Sequence, residues 1–241
     1  MARLLWSVSL LATGSLAQGI ELYVQPPHTP GDPGGDGLSA FTGLSPVVDR
    51  ELADDFTVTG PGWWIDTLQG HWTPDNTFDL TPITKVHVTF YHSDLGSVGT
   101  EFVQPNVVGT SVLMGSGMYL GRQERIVTVQ FDPILFSPGQ YFVHMQTEVQ
   151  HNWFWLSSTP TSPVQGSPAH FRKGADADAG VDPNWPTQWT RMGSTDDDVF
   201  NDDYDLAFSL HGNPVPEPAT IGLFGLGLGW LAYRKRKRSK A

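Results

Sequence analysis

The sequence predicts an all-β protein, an antiparallel β-sandwich of the jelly-roll type, with one apolar segment at each end of the chain. Two observations predict the sandwich: apolar and polar residues alternate with period two in several short segments, and turn-forming residues separate those segments. The chain has 26 Gly and 19 Pro in 241 residues. A third observation argues against a helical bundle, because no segment shows the long amphipathic periodicity that a bundle needs.

The first 17 residues have the features of a secretory signal peptide. Arg3 supplies a positive charge, and an apolar run of 13 residues follows at 4–16. Small residues stand at the two positions that a signal peptidase reads. We therefore predict a signal helix over residues 1–17 and cleavage between Ala17 and Gln18. A buried N-terminal helix is the alternative, but the run has neither a capping residue nor a polar face.

The central part of the chain carries the strand pattern. Residues 18–50 read as a loop-rich lead-in with one predicted strand at 21–24, and residues 51–212 are predicted to form the sandwich. Eight or nine short strands are expected there, each half-buried. The predicted strands are 55–58, 63–68, 86–90, 111–114, 127–131, 141–145, 153–156 and 206–210.

The last 29 residues, 213–241, contain three features in a fixed order. A proline-rich segment comes first, then an uncharged apolar stretch of 15 residues at 219–233, then a basic cluster at 234–241. The stretch is shorter than the roughly 20 residues of an ordinary span but is predicted to form a short transmembrane helix. The basic residues would hold the C-terminal end of this helix on the cytoplasmic side of the membrane. Those that set the orientation are Arg234, Lys235, Arg236, Lys237 and Arg238.

This order of parts, with the motif Val215-Pro216-Glu217-Pro218 ahead of the apolar stretch, resembles the PEP-CTERM sorting signal of Gram-negative bacteria. The resemblance implies that an exosortase, an integral-membrane cysteine enzyme, recognises the motif, cuts near it and passes the domain toward the cell surface. The expected partners are therefore signal peptidase, exosortase and, before processing, the cytoplasmic membrane. A plain membrane anchor with a proline-rich stalk is the alternative, and it has the same topology.

A second, looser resemblance concerns the central domain. Ala53-Asp54-Asp55-Phe56 and the closing segment 204–212 are similar to the β-sandwich domains of many PEP-CTERM proteins. This resemblance implies a fold and no particular activity.

The charge of the chain is distributed unevenly. The net charge is −11, from 14 basic and 25 acidic residues, but six of the basic residues stand in the last eight positions. Without those six and Arg3, 7 basic and 25 acidic residues remain, a net charge of −18. Such a domain repels phosphate backbones, which argues against nucleic acid as a partner. The absence of cysteine excludes disulfides, thiolate metal sites and cysteine nucleophiles.

No catalytic motif is recognisable, so we expect a protein that is not an enzyme. The eight histidines form no His-Glu-x-x-His pattern, and His87 and His144 are expected on exposed faces of strands. Gly115-Ser116-Gly117 lacks the first glycine of a nucleophile elbow and is interpreted as a turn. The two acids of a glycosidase are set by their separation in space, so the sequence leaves carbohydrate cleavage open.

Two groups of residues are candidate ligand sites. An acidic cluster offers the oxygen atoms that calcium prefers, although a charged turn would have the same composition. Its candidate calcium ligands are Asp196, Asp198, Asp202 and Asp203. Trp185 and Trp189 stand in a proline-rich segment without alternation, where exposed rings would stack on sugars; packing in the core or in a loop is the alternative.

The sequence therefore predicts an exported cell-surface or extracellular-matrix protein whose ectodomain is a structural or binding module. One alternative is a carbohydrate-binding or carbohydrate-cleaving module that acts on exopolysaccharide. The other is a calcium-stabilised adhesion domain. We expect the protein in the cytoplasmic membrane before processing, held by its C-terminal helix, and at the cell surface or outside the cell afterwards.

Overall fold

The computed structural model describes residues 19–28, 50–74, 83, 85–119, 121–148, 153–158, 166–173, 186–192 and 205–217. These residues contain twelve β-strands and no helix. The strands are β1 (Ile20–Gln25), β2 (Arg50–Val58), β3 (Trp63–Pro74), β4 (Lys85–Asp94), β5 (Ser97–Val103), β6 (Val107–Tyr119), β7 (Arg122–Phe136), β8 (Gly139–Glu148), β9 (Trp153–Trp155), β10 (His170–Lys173), β11 (Thr190–Arg191) and β12 (Phe208–Pro214).

The strands form two six-stranded antiparallel sheets. Sheet I has the order β1-β12-β3-β7-β6, with β9 paired to the end of β3, and sheet II has the order β11-β10-β2-β8-β4-β5. The chain passes repeatedly from one sheet to the other, so strands that are neighbours in sequence often lie in different sheets. The predicted all-β, antiparallel architecture is confirmed.

One apolar core lies between the two sheets. The alternation of β4 places Val86, Val88 and Phe90 in this core. The rings of Phe56 in sheet II and Phe136 in sheet I lie 5.7 Å apart, and those of Phe90 and Phe136 lie 4.9 Å apart. Edge-to-face aromatic contacts of this kind join the two sheets across the core.

The strands are longer and more numerous than the sequence predicts. Strands β6 and β7 have 13 and 15 residues, and the described residues contain eleven strands, β2 to β12, where eight or nine were expected. The strand predicted at 21–24 is β1. Strands β10 and β11 have four and two residues, which is too short for a periodic pattern to appear.

Two local predictions are wrong. Gly115-Ser116-Gly117 is not a turn but lies inside β6, where the pairing with β7 shifts between Met114 and Met118. This bulge folds around the Glu124 carboxylate, whose Oε2 accepts a hydrogen bond of 2.9 Å from the Gly117 amide. His144 is not exposed but buried, at 4% exposure, and its ring binds the Leu52 carbonyl and packs edge-to-face on Trp189 at 6.2 Å.

A buried carboxylate connects the two sheets. Asp54 stands between the core residues Leu52 and Phe56 on β2, so its side chain points between the sheets. Its Oδ2 accepts a hydrogen bond of 2.5 Å from the amide of Leu206, just before β12 in sheet I, and its Oδ1 accepts one of 2.8 Å from the Asp55 amide. With its amide group oriented to satisfy both partners, Gln25 of β1 donates to Asp54 Oδ2 at 3.2 Å.

The neighbouring carboxylate, Asp55, points to the opposite face of β2. It accepts hydrogen bonds from the Ser167 amide at 2.8 Å and from Gln140 Nε2 at 2.6 Å. Gly166 adopts a φ of 97°, and a Cβ atom there would lie 2.1 Å from Asp55 Oδ2. Only glycine therefore lets this segment lie against the carboxylate.

We expect Asp54→Ala to lower the free energy of unfolding by roughly 2 to 4 kcal/mol, because it leaves two buried amides without an acceptor. Urea denaturation of the purified, processed protein measures the change. The control is Asp132→Ala, which removes an exposed carboxylate of β7 and should change stability by less than about 0.5 kcal/mol. Equal losses for the two variants would contradict the role of Asp54.

We expect Asp55 to make stability fall as the pH rises. Burial raises the pKa of its carboxyl to about 6, against the hydrogen bonds from Gln140 and Ser167 that lower it. Because the folded state holds this proton more tightly than the unfolded chain, whose pKa is about 4, the stabilisation is complete below about pH 4 and is lost as the pH rises to about 6. Asp55→Asn should therefore gain about 2 kcal/mol relative to the wild type between pH 4 and pH 7. A difference that stays constant over this range, in denaturation at several pH values, would contradict the prediction.

Candidate functional site

The chain leaves the sandwich directly from a strand that lies inside sheet I. Strand β12 pairs with β1 on one side and with β3 on the other, and its last residue, Pro214, stands opposite Trp63. The next residue is still held, because the Val215 amide donates a hydrogen bond of 2.9 Å to the Gly62 carbonyl. Pro216 and Glu217 follow and are exposed.

Glycine at the β2–β3 turn makes this exit possible. Gly62 has a φ of 125°, and a Cβ atom there would lie 2.6 Å from the Phe136 carbonyl oxygen and 3.6 Å from a methyl group of Val215. A larger residue would displace the end of β7, next to which the chain departs. The turn therefore fixes where the exposed Pro-Glu segment begins.

The exposed segment suits recognition by an enzyme. Proline has no amide hydrogen and favours an extended backbone, so Pro216 keeps the chain from continuing as a sheet strand or entering a helix. Glu217 adds an exposed charge beside it. Pro218, the last residue of the predicted motif, lies outside the described residues.

Residues 214–237 match the family model of the PEP-CTERM protein-sorting motif. The chain carries a PEP-CTERM sorting motif. The motif begins at the last residue of β12, so the folded domain and the sorting signal adjoin without a linker. A PEP-CTERM motif indicates an exported protein that an exosortase targets. No curated protein and no solved structure matches the chain.

The other targeting features lie outside the described residues. They are the signal peptide with its cleavage site at Ala17 and Gln18, the apolar stretch 219–233 and the basic residues from Arg234 to Arg238. Within the described ranges, no helix is long and apolar enough to span a membrane. The signal peptide and the transmembrane helix stay predictions.

A second candidate site is a groove of about 560 Å³ on the outer face of sheet II. Its floor is formed by outward-pointing residues of four neighbouring strands, and the β5–β6 connection, residues 104–106, forms one wall. Polar and aromatic side chains share the floor. They include Glu51, His87, Thr89, Tyr91, His144 and Arg172.

An ion pair and a tryptophan border the groove. Arg172 Nε donates to Glu51 Oε2 at 2.5 Å, and the guanidinium lies 4.4 Å from the centre of the Trp189 ring. Trp189 also packs edge-to-face on Tyr91, at 5.7 Å, and together they cover an apolar cluster on the outer face of the sheet. Arg172 holds Trp189 in place through a cation–π contact.

The ionisation states of the groove follow from burial. Burial lowers the pKa of His144, so the ring is neutral at pH 7 and accepts or donates hydrogen bonds without carrying charge. Burial also raises the pKa of the Tyr91 hydroxyl, although the nearby Arg172 opposes this effect. A neutral imidazole, a neutral phenol and a paired carboxylate favour a polar, uncharged ligand.

On the outer face of sheet I, Glu124 and His71 form a separate pair. The two side chains are 2.7 Å apart, and the hydrogen bond from His71 lowers the pKa of Glu124. Among the described residues, no group of three or more His, Asp or Glu side chains is arranged to hold a metal ion. The predicted calcium ligands lie outside those residues. They are Asp196, Asp198, Asp202 and Asp203.

The sequence did not indicate the residues that form the floor of the groove. Of the two tryptophans predicted to stack on sugars, Trp189 is half-buried beside Arg172 and Trp185 lies outside the described residues, so the stacking role stays a prediction. The residues that form the floor occupy the polar positions of alternating strands. Those positions look like solvated surface until the strand order brings them together.

Proposed function

We propose that the protein is an exported cell-surface or extracellular-matrix protein that is sorted through its PEP-CTERM motif, and that its ectodomain is a structural or binding module without catalytic activity. One observation supports the sorting half above all others. The motif begins at the last residue of β12, and Pro216 and Glu217 within it are exposed.

The proposed route has two cleavages. Signal peptidase cuts after Ala17, the segment 219–233 holds the chain in the cytoplasmic membrane, and an exosortase then cuts near residues 215–218. Because the described strands all precede Val215, a cut beyond that residue leaves the strands of both sheets in one piece. The domain would therefore leave the membrane as a folded unit.

The strand order supports a jelly-roll topology for this unit. Four strands in the order β1-β12-β3-β7 face four in the order β2-β8-β4-β5, and the chain alternates between the two sets. Strand β6 extends the first sheet, while β10 and β11 extend the second. Double-sheet jelly rolls of this kind occur in lectin domains.

The groove on sheet II favours a carbohydrate-binding module as the more specific function of the ectodomain. Its floor combines hydrogen-bonding groups with the aromatic side chain of Tyr91, and Trp189 stands at its border. Neutral exopolysaccharide also suits an acidic domain that repels anionic polymers.

We expect Glu217→Ala to slow processing by the exosortase several-fold, because it removes the charge of the recognised motif and leaves the fold intact. Pulse-chase labelling in a strain with an exosortase would follow the conversion of precursor to the shorter form. The matched control is Glu21→Ala, which removes an exposed carboxylate from β1. Equal conversion of both variants and the wild type would remove the support for recognition at residues 215–218.

We expect Trp189→Ala to weaken binding of exopolysaccharide from the producing strain about tenfold, since one ring–sugar contact is worth about 1 kcal/mol or slightly more. Isothermal titration of the processed protein gives the affinity, and thermal denaturation shows that the variant is folded. The control is Trp64→Phe, which changes a part-exposed tryptophan on the other sheet. Unchanged affinity in Trp189→Ala, or no binding by the wild type, would reject the carbohydrate-binding function while leaving the sorting function standing.

A further inference from the structure

The end of the sandwich at which the chain leaves, here called the exit end, is formed by three connections. They are 59–62 between β2 and β3, 95–96 between β4 and β5, and 137–138 between β7 and β8. The strand registers place them together: Val58 pairs with Gly139 in sheet II, while Trp63 pairs with both Phe136 and Pro214 in sheet I. The sorting motif starts at this same end.

The exit end has an unusual composition for this acidic protein. None of the eight residues in its three connections is charged, although the chain as a whole carries 39 charged residues. Asp94 and Glu217 are the charged residues that flank the connections and the exit. The end therefore differs from a solvated acidic surface.

Large apolar side chains are exposed at or near this end. Leu95, at the tip of the β4–β5 turn, is completely exposed. Trp64 and Leu135 are paired neighbours on β3 and β7, with exposures of 41% and 43%, and Ile20 at the start of β1 is exposed to 57%. Trp64 and Leu135, left in water next to one another, mark a contact surface.

The conformation of Leu95 gives an independent indication. It has a φ of 53° and Gly96 has a φ of 85°, as a type I′ turn requires. Such turns strongly favour Asn-Gly or Gly-Gly, because asparagine and glycine tolerate the left-handed conformation. Leucine in that conformation is strained. Because its side chain is fully exposed, no burial of apolar surface offsets the strain. The turn itself therefore does not account for leucine at this position.

We propose that, before processing, the exit end lies on the lipid surface of the membrane, with the Leu95 side chain in the interfacial region and the Trp64–Leu135 pair beside it. The inference rests on the proposed membrane attachment of residues 219–233. Val215 is held by Gly62, and the four Cα-to-Cα steps from Val215 to Ala219 span at most about 14 Å. The exit end is therefore the part of the sandwich closest to the bilayer.

The charges favour this orientation over others. An acidic domain is repelled by anionic headgroups, so the uncharged end is the surface that approaches them at the lowest electrostatic cost. Tryptophan and leucine are the side chains that prefer the boundary between headgroups and acyl chains. An apolar turn that is strained and exposed in water fits such a surface.

The test uses site-specific labels, which the chain allows because it has no cysteine of its own. The full chain, purified from a strain without exosortase, is reconstituted in phosphatidylcholine–phosphatidylglycerol vesicles as Leu95→Cys, labelled with an environment-sensitive fluorophore. The matched control is Leu113→Cys, an exposed position on β6. Leu113 pairs with Ile126 of β7, and Ile126 pairs with His71 near the end of β3 that is remote from the exit end. Quenching by nitroxide-labelled lipids then reports the distance of each label from the bilayer.

We expect quenching at position 95 to be several-fold stronger than at position 113, and Leu135→Cys to resemble position 95. Equal, weak quenching at positions 95 and 113 in vesicles that retain the protein after carbonate washing would overturn the proposal and would leave a protein partner, such as the exosortase, as the ligand of the exit end. Loss of the protein from the vesicles on carbonate washing would instead contradict the membrane attachment itself.

Discussion

Strand β12 is hydrogen-bonded on both sides, to β1 and to β3, and the sorting motif begins at its last residue. The rest of the structure depends on this placement. The first and the last described strands, β1 and β12, pair at one edge of sheet I, so this sheet is complete only when residues up to Pro214 are available. Strand β12 thus pairs with strands far from it in sequence, and its residues directly precede the sorting signal. The sandwich and the sorting signal are thus joined directly, with Pro214 belonging to both.

The buried carboxylate of Asp54, in sheet II, stabilises the same region where β1 and β12 meet. It accepts from the Leu206 amide, a short distance before β12, and from Gln25 at the end of β1. Burial raises the pKa of Asp54 well above its usual range, and the nearby Asp205 and Asp55 carboxylates raise it further. A charged group in this position is costly, but without it the amides that it satisfies would be buried and unpaired. The polar network therefore specifies how the termini of the domain meet, while the aromatic core supplies the cohesion.

The sequence predicted those parts of the structure in which one face of a strand packs on the core. Strands β4, β7 and β8 were predicted because their inward residues alternate with polar ones, as in Val86, Val88 and Phe90. Asp54 occupies an inward position of β2 between Leu52 and Phe56, where the alternation predicts an apolar residue. This exception was the feature of the sequence that indicated a buried polar contact between the sheets. The groove left no such signal, because its floor combines polar positions of strands far apart in sequence, from Glu51 to Arg172. The bulge at Gly115–Gly117 resembled a turn because its cause, the Glu124 carboxylate, comes from the next strand.

The intact mass of the native protein, recovered from the membrane and culture fractions of a strain with an exosortase, tests the central claim most directly. Export followed by processing at the end of β12 predicts a polypeptide that begins at Gln18 and ends near Pro218, with both sheets intact. A mass that retains Arg234 to Ala241 and stays in the membrane fraction would contradict the account, because the motif would then belong to a permanent anchor.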